Sequence, residues 1–224
     1  MKIRANWKAV KKGCLITVVI LWGLLFLFYL FTEAFPHADW KIILIEFIVL
    51  IVALFVYGFI SLGKYKNILK HYNSKNYDLA LNKGLRYLKW NAYGILKEYV
   101  YYMIAVIYLH KNNSVEMNNY LSKIRDKSRN VETLSAKYQL LTMESLINNE
   151  IANAQNFYKE YIFYINKAVS DSPYKIYQPV LEKVFLYLNE KDETVKNELK
   201  NTVQDVKPEV FKNYIMTLIG AEAK

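Results

Sequence analysis

The residues of this chain that are able to do chemistry are few and far apart. The three histidines are His37, His71 and His110, and the single cysteine is Cys14. A closed zinc site takes four ligands, usually thiolates and imidazoles at close spacing, and this set does not supply them. The sequence also lacks a GxxxxGK[ST] loop, a GxGxxG loop after a strand, and an HExxH pair. We therefore expect no metal, no other cofactor and no enzymatic activity.

Two long apolar runs dominate the first quarter of the chain. Residues 14–31 contain no charged side chain, and residues 42–62 contain only Glu46. A helix needs about 20 apolar residues to cross the hydrocarbon core of a bilayer. The two runs therefore predict a transmembrane helical hairpin whose helices are joined by an external loop at 32–41.

Basic residues flank the hairpin at both of its outer ends and are scarce in its loop. Such a bias places the basic ends in the cytoplasm, which predicts a two-pass protein of the cell membrane with both termini inside. Residues 1–13 then form a basic cytoplasmic N-terminus. Cations next to a bilayer attract anionic headgroups. The lysines that we expect to do so are Lys8, Lys11, Lys12, Lys64, Lys66 and Lys70.

Glu46 is the one acidic residue inside an apolar run. A carboxylate in hydrocarbon is costly and for that reason often functional. One interpretation is a polar contact with another membrane protein. The other is that Glu46, about one turn inside the helix, reaches the interface or pairs with Lys41.

The net charge of +10 is unevenly distributed along the chain. Residues 64–137 carry 14 Lys and Arg against 5 Asp and Glu, whereas residues 138–224 carry 10 against 12. The basic excess thus follows the second apolar run directly. Attraction to lipid accounts for it better than nucleic acid, whose binding would need a basic face independent of the bilayer.

From residue 64 onward, apolar residues recur every three or four positions, which is the helical period. Three predicted helix starts resemble one another and lie 37 residues apart: NYDLALNKGLRYL (76–88), NSVEMNNYLSKI (113–124) and EIANAQNFYKEYI (150–162). A looser fourth copy is DETVKNELKNTV (192–203). Each of the first three places a small or apolar residue at the matching position: Ala80, Met117 and Ala154.

Helix–turn–helix units of this period resemble tetratricopeptide (TPR) repeats. The best match is IAVIYLHKNNSVEMNNYLSKI (104–124). The positions that fit are Ala105 and Tyr108 in the first helix, Met117 and Ile124 in the second, and Tyr77, Ala80, Ile151 and Ala154 in the neighbouring units. The usual turn glycine is replaced by Lys75, Asn112 and Asn149. The resemblance covers about residues 64–203 and implies a solenoid of stacked helix pairs.

In TPR proteins the first helix of each pair lines a concave groove. The resemblance therefore implies a partner-binding groove formed by Tyr99, Tyr102, Val106, His110, Gln139 and Met143. Its apolar and aromatic character would suit an amphipathic helix. The alternative interpretation is that these residues contact a neighbouring helix of the same chain.

We expect an all-α protein in which a transmembrane hairpin precedes TPR-like repeats at 63–206 and a C-terminal helix at 207–224. That last helix either caps the final pair or folds back into the groove. The first function expected is a membrane-anchored cytoplasmic adaptor that recruits a protein partner. The alternative is an accessory or immunity-type membrane protein, whose hairpin recognises a toxin or a larger transport or secretion complex.

Overall fold

In a computed structural model the chain is helical, and no strand occurs in the part that is described, namely residues 29, 40–90, 94–126, 128, 130–168, 172–206 and 208–220. These residues contain nine α-helices. The helices are α1 (Trp40–Asn73), α2 (Tyr77–Lys89), α3 (Gly94–His110), α4 (Ser114–Ser122), α5 (Val131–Ile147), α6 (Ile151–Lys167), α7 (Gln178–Glu190), α8 (Glu193–Thr202) and α9 (Glu209–Leu218). Single 3-10 turns, Lys175–Tyr177 and Val203–Asp205, precede α7 and follow α8. The all-α prediction is confirmed.

The chain divides into two compact units at the boundary between Gly63 and Lys64. In the first unit, the described side chains are those of Tyr29 and of residues 44–63 of α1, and most of the apolar ones are exposed. An 18-residue window of Leu44–Asn73 has a mean hydropathy of 2.6, and only 6% of it is buried. By length and composition, α1 is the one helix of the described residues able to cross a membrane. The other predicted apolar helix, at 14–31, lies outside the described residues except for Tyr29.

Helix α1 continues beyond the predicted end of the second apolar run at Leu62 and ends at Asn73. A single glycine, Gly63, is tolerated inside a helix at a cost of about 1 kcal/mol. After it, Tyr65, Ile68 and Tyr72 follow the helical period and are buried in the second unit. Their burial offsets the cost of the glycine, so the helix does not break where the apolar run ends.

The second unit contains three helix ends of one design. Lys75, Asn112 and Asn149 have positive φ values of 59°, 52° and 60°. At each, the N–H of the next residue donates to the carbonyl five positions earlier, as Asn113 N does to Tyr108 O at 3.0 Å. This is the Schellman arrangement that ends a helix with a left-handed residue. The three positions are those where the sequence lacks the usual turn glycine, and their spacing is 37 residues.

Each of these turns leads directly into the next helix. Asn76 and Asn113 are N-caps whose side chains accept from the N–H groups of Leu79 and Glu116. Asparagine suits this position because its side-chain oxygen satisfies a free N–H of the first turn. Five residues after each left-handed turn residue comes a residue that is fully buried: Ala80, Met117 and Ala154, each 0% exposed.

The helices of the second unit pack as neighbours along the chain, with α3 against α4, α5 against α6 and α7 against α8. Helix α5 also contacts α3, α4 and α9, so it is covered on nearly all sides. Helix α9 packs against both α3 and α5. The predicted C-terminal helix thus lies on the first helices of two successive pairs, with Phe211 and Ile215 fully buried.

Candidate interaction surfaces

Four of the six residues that the resemblance places in a groove are buried within the second unit. Tyr102, Val106, Gln139 and Met143 are between 0% and 2% exposed, while Tyr99 and His110 are partly buried. Helix α9 packs on α3 and α5, which carry all six residues. This matches the alternative interpretation, in which these side chains contact the chain itself. In this conformation a partner cannot contact the four buried side chains.

The interior around these residues is rich in tyrosine. Tyr102 meets Tyr174 edge-on at 5.7 Å between ring centroids, and Tyr161 Oη donates to Tyr174 O at 2.6 Å. Tyr99 Oη donates to Glu132 Oε2 at 3.2 Å. Burial raises the pKa of Tyr99 to about 12 and those of Tyr102 and Tyr174 well above the usual value. These hydroxyls therefore stay neutral near pH 7, and that of Tyr99 is a hydrogen-bond donor.

The two described histidines are separate from each other. His110 stacks on Tyr77 with 4.6 Å between ring centroids, and burial lowers its pKa. Nε2 of His71 lies 2.9 Å from Lys83 Nζ, and desolvation followed by that cation lowers the pKa of His71. Within the described part of the chain no group of three His, Cys, Asp or Glu side chains is placed to hold a metal ion. Cys14 and His37 lie outside the described residues.

Sequence reasoning missed two equivalent clusters of aromatic side chains, one on α3 and α4 and the other on α5 and α6. Tyr101 lies against Tyr120 with ring centroids 6.3 Å apart and tilted by 42°. Tyr138 lies against Phe157 in nearly the same way, at 6.4 Å and 36°. The two pairs are 37 residues apart, so successive helix pairs repeat one contact. We call the whole set the aromatic ridge: Tyr101, Tyr108, Tyr120, Tyr138, Phe157, Phe163 and Tyr164.

The ridge is only partly buried. Phe163 is 50% exposed, and its other members are of intermediate exposure. Its rings stack on one another, as Tyr108 does on Tyr120 at 5.7 Å and Tyr138 on Tyr164 at 5.5 Å. The core-like spacing of certain tyrosines along the sequence favours a packing role; they are Tyr72, Tyr101, Tyr108, Tyr158 and Tyr161. Of these, Tyr72 and Tyr161 are buried, whereas Tyr101, Tyr108 and Tyr158 reach the surface. The signal that marks the ridge is the recurrence of aromatic residues 37 positions apart.

Three lysines lie over rings of the ridge. Lys167 Nζ is 3.6 Å from the centroid of Phe163, Lys123 Nζ is 4.2 Å from Tyr120, and Lys97 Nζ is 5.9 Å from Tyr101. Among the described residues these three lysines form no ion pair. Lys137, near Tyr138, differs because it is buried and paired with Asp126 at 2.7 Å. The ridge is therefore aromatic and cationic at once.

A shallow cleft lies between the end of α5 and α9. Its apolar side consists of Ile147 together with Val210, Tyr214 and Leu218, which follow one another along α9 at four-residue spacing. Its polar side consists of Asn149, Asn213 and Thr217. An apolar stripe with a polar rim is a surface that an amphipathic helix fits.

The residues predicted to contact the membrane are placed as follows. Lys64, Lys66 and Lys70 are exposed on α1, and Lys64 Nζ lies 3.4 Å from the centroid of Trp90. Glu46 is exposed in the apolar part of the same helix. The remaining predicted lysines, Lys8, Lys11 and Lys12, lie outside the described residues.

Comparison of the chain with protein-family models, curated proteins and solved structures finds no match. Function is therefore inferred from the residues themselves.

Proposed function

We propose that this protein is a membrane-anchored adaptor. Residues 14–31 and 42–62 form a transmembrane hairpin with both termini in the cytoplasm, and the TPR-like helix pairs that follow recruit a protein partner. The observation that carries this proposal is the change of burial within α1. Its side chains are mostly exposed and apolar from Leu44 to Ile60, and from Tyr65 onward the same helix contributes buried residues to the second unit.

The exposed apolar segment favours a membrane on energetic grounds. Ile45, Val49, Leu54 and Phe59 are each 60% or more exposed. Burial of apolar area is worth about 25 cal/mol per Å², so an exposed segment of this length is strongly unfavourable in water. A bilayer removes that cost, and a helix satisfies its backbone polar groups without water.

The helix pairs favour a binding role over a catalytic one. Three equivalent turns at 37-residue spacing support a TPR-like stack, a fold in which each pair contacts its neighbours and the outer surfaces are free to bind. Because α9 covers α3 and α5, we assign partner binding to the cleft formed by Ile147, Val210, Tyr214 and Leu218. The expected partner segment is an amphipathic helix.

Topology is tested by labelling single cysteines in intact cells. Cys14 is replaced by serine, and one cysteine is introduced as His37→Cys in the loop or as Asn197→Cys on the exposed side of α8. A membrane-impermeant maleimide should label position 37 from outside and position 197 only after permeabilisation. Labelling of position 197 in intact cells would overturn the cytoplasmic placement.

Partner binding is tested by photo-crosslinking of the full chain in native membranes. A photoreactive amino acid in place of Leu218 should give an adduct with a second protein, and Val210→Glu should abolish it. Asn197→Glu, an exposed change of the same charge, is the matched control and should leave the adduct intact. A charge at the predicted groove residue Tyr102, as in Tyr102→Glu, would not test binding. Tyr102 is 1% exposed, and a charge there would disrupt the fold. Adducts that survive Val210→Glu would exclude the cleft as the binding surface.

One observation favours a second function, recognition through the hairpin. Glu46 is an exposed carboxylate within an apolar helix, where another membrane protein can offer it a hydrogen-bond donor. In that case Glu46→Leu abolishes recognition of the other membrane protein, and the cleft substitution Val210→Glu does not. The adaptor proposal predicts the opposite pattern.

A further inference from the structure

The aromatic ridge has a composition that matches the boundary between water and lipid. It consists of five tyrosines and two phenylalanines, and lysine ammonium groups lie over three of these rings. Amphipathic aromatic rings are enriched at the headgroup level of membranes. Lysine completes such a surface because its carbon chain packs on apolar groups while its charge remains near the polar headgroups.

The three lysines over the ridge complement an anionic surface. The carboxylates nearest its tyrosines are Glu116 near Tyr120, and Glu160 and Asp126 near Tyr138. Lys97, Lys123 and Lys167 form no ion pair among the described residues, so no carboxylate there neutralises them. The neighbouring Lys137, in contrast, is neutralised by Asp126 and buried. Each lysine close to anionic lipid changes a binding constant by roughly fivefold.

Outside the ridge, Lys64 makes a contact of the same kind, since its Nζ lies 3.4 Å from the centroid of Trp90. Lys64 is the second residue after the apolar run ends at Leu62. A lysine over an aromatic ring therefore also occurs where we expect the bilayer surface to begin.

We propose that the aromatic ridge binds the headgroup region of an anionic phospholipid bilayer, so that the helix pairs lie on the membrane. This inference rests on the proposed membrane anchoring. It adds a second contact with lipid, made by α3–α6, and it leaves the cleft between α5 and α9 as the surface for protein.

The test is lipid quenching of a fluorescent label on the full chain. In a Cys14→Ser background, Asn166→Cys places the label beside Lys167 on α6, and Asn197→Cys places it on α8, which contributes nothing to the ridge. The protein is reconstituted into vesicles of phosphatidylcholine with or without phosphatidylglycerol, and a nitroxide on some headgroups serves as the quencher. We expect strong quenching at 166 in vesicles with phosphatidylglycerol, and weak quenching at 197 in both.

Two charge-reversal triples separate the ridge from general electrostatics. Lys97, Lys123 and Lys167 changed to Glu should weaken the ridge–lipid contact at least about a hundredfold and remove the quenching at 166. Lys175, Lys191 and Lys200 changed to Glu alter the net charge equally outside the ridge and should leave that quenching intact. Equal loss with both triples would overturn the inference.

Other occupants of the ridge give other results, and each overturns the proposal. Self-quenching at 166 that rises with the protein-to-lipid ratio, without lipid quenching, identifies a second copy of the chain. Absence of lipid quenching together with protection of position 166 from aqueous labelling in native membranes identifies a partner protein. A chain that floats with vesicles after a carbonate wash but shows no quenching at 166 refutes only this inference. A chain that fails to float refutes the proposed anchoring as well.

Discussion

The apolar part of α1 and helix α5 distribute polarity in opposite ways. Leu50, Val52 and Leu54 of α1 are more than half exposed, although they are strongly apolar. Helix α5 buries Thr133, Ser135, Gln139, Thr142 and Ser145 to 1% exposure or less. A water-soluble helix is expected to do neither, because it places apolar side chains inside and polar ones outside.

The buried polar residues of α5 and the exposed apolar residues of α1 have different explanations. In α5, Ser135 Oγ donates to Glu132 O at 2.8 Å and Thr142 Oγ1 donates to Tyr138 O at 2.7 Å, so short hydroxyl groups are satisfied by the helix itself. Thr133 Oγ1 and Gln139 Oε1 differ, because they are buried with no hydrogen-bond partner among the described residues. The exposed leucines and valines of α1 are not covered by any of the described residues, and we propose a bilayer for them. In both helices burial thus departs from hydropathy, and in α5 local hydrogen bonds account for part of that departure.

Alkali should produce the largest effect, because the interior of the helix pairs holds many buried tyrosines. Burial raises the pKa values of Tyr65, Tyr72, Tyr161 and Tyr177, besides those of Tyr102 and Tyr174. Below about pH 10 tyrosine is neutral in both the folded and the unfolded state. Above it, the unfolded state loses protons that the folded state retains, so stability falls as pH rises toward the folded pKa values.

Each buried tyrosine that stays neutral lowers stability by about 1.4 kcal/mol per pH unit above 10. Six such groups remove roughly 8 kcal/mol per unit, which is comparable to the whole stability of a domain. We expect cooperative unfolding near pH 11, with circular dichroism and tyrosinate absorbance at 295 nm changing together in detergent. Tyr177→Phe removes one titrating group whose hydroxyl has no partner among the described residues, and it should shift the midpoint upward. A gradual absorbance rise without loss of helix would contradict the buried cluster.

The next largest effect is expected when an exposed apolar residue is replaced by arginine, once in the apolar part of α1 and once in the helix pairs. Leu54→Arg in α1 and Val115→Arg in α4 both replace an apolar residue that is well exposed, at 62% and 80%. If lipid surrounds Leu54, arginine near the helix centre costs about 2.5–3.5 kcal/mol, or roughly a hundredfold in insertion. Val115→Arg should change stability by less than about 0.5 kcal/mol. Membrane fractionation compares the amounts of the two variants that reach the membrane. Equal amounts for Leu54→Arg and Val115→Arg would remove the contrast between the regions.

The sequence predicted the all-α fold and the apolar character of α1, because helical period and long apolar runs depend on neighbouring residues. It also located the positions of the three turns through their 37-residue spacing. It did not reveal that α1 continues past the apolar run to Asn73, since the burial that carries the helix past Gly63 involves residues distant in sequence. A carboxylate on a helix is ordinarily solvated, and the sequence did not reveal that Glu132 and Glu144 are only 9% and 7% exposed.

The candidate site was less predictable than the fold. The groove residues were assigned by register, and register does not reveal that α9 lies on α3 and α5. That contact joins segments about 70 to 110 residues apart, beyond any local pattern. The aromatic ridge was hidden because Tyr101 and Tyr108 fit a core period, and their partial exposure depends on the packing of α3 against α4.

A smaller effect is expected where α1 joins the helix pairs. Lys75 has a φ of 59°, a conformation that costs an L-residue with a Cβ roughly 1–2 kcal/mol. Its ion pair with Glu209 at 3.7 Å is exposed and contributes little. Lys75→Gly should therefore stabilise the protein by about 1 kcal/mol, and Asn112→Gly by less because asparagine tolerates this conformation better. Urea denaturation in detergent measures both, and a loss of stability in Lys75→Gly would contradict the left-handed turn.

The smallest effect concerns Lys137, which is buried in α5. The apolar part of α1 would not accommodate a lysine. Lys137 Nζ donates to Asp126 Oδ1 at 2.7 Å and to Ile124 O at 2.9 Å, and this lysine holds the pKa of Asp126 below its usual value. Because the folded pKa is depressed, the ion pair contributes its full stability above about pH 4, the pKa of an unfolded aspartate. The contribution disappears as pH falls through the folded pKa. Asp126→Asn should thus be slightly less stable than the natural chain at pH 7 and equal to it at pH 2, as measured by urea midpoints. A difference that persists at pH 2 would show that Asp126 acts through packing and not through charge, and the neutralisation of Lys137 would then need another source.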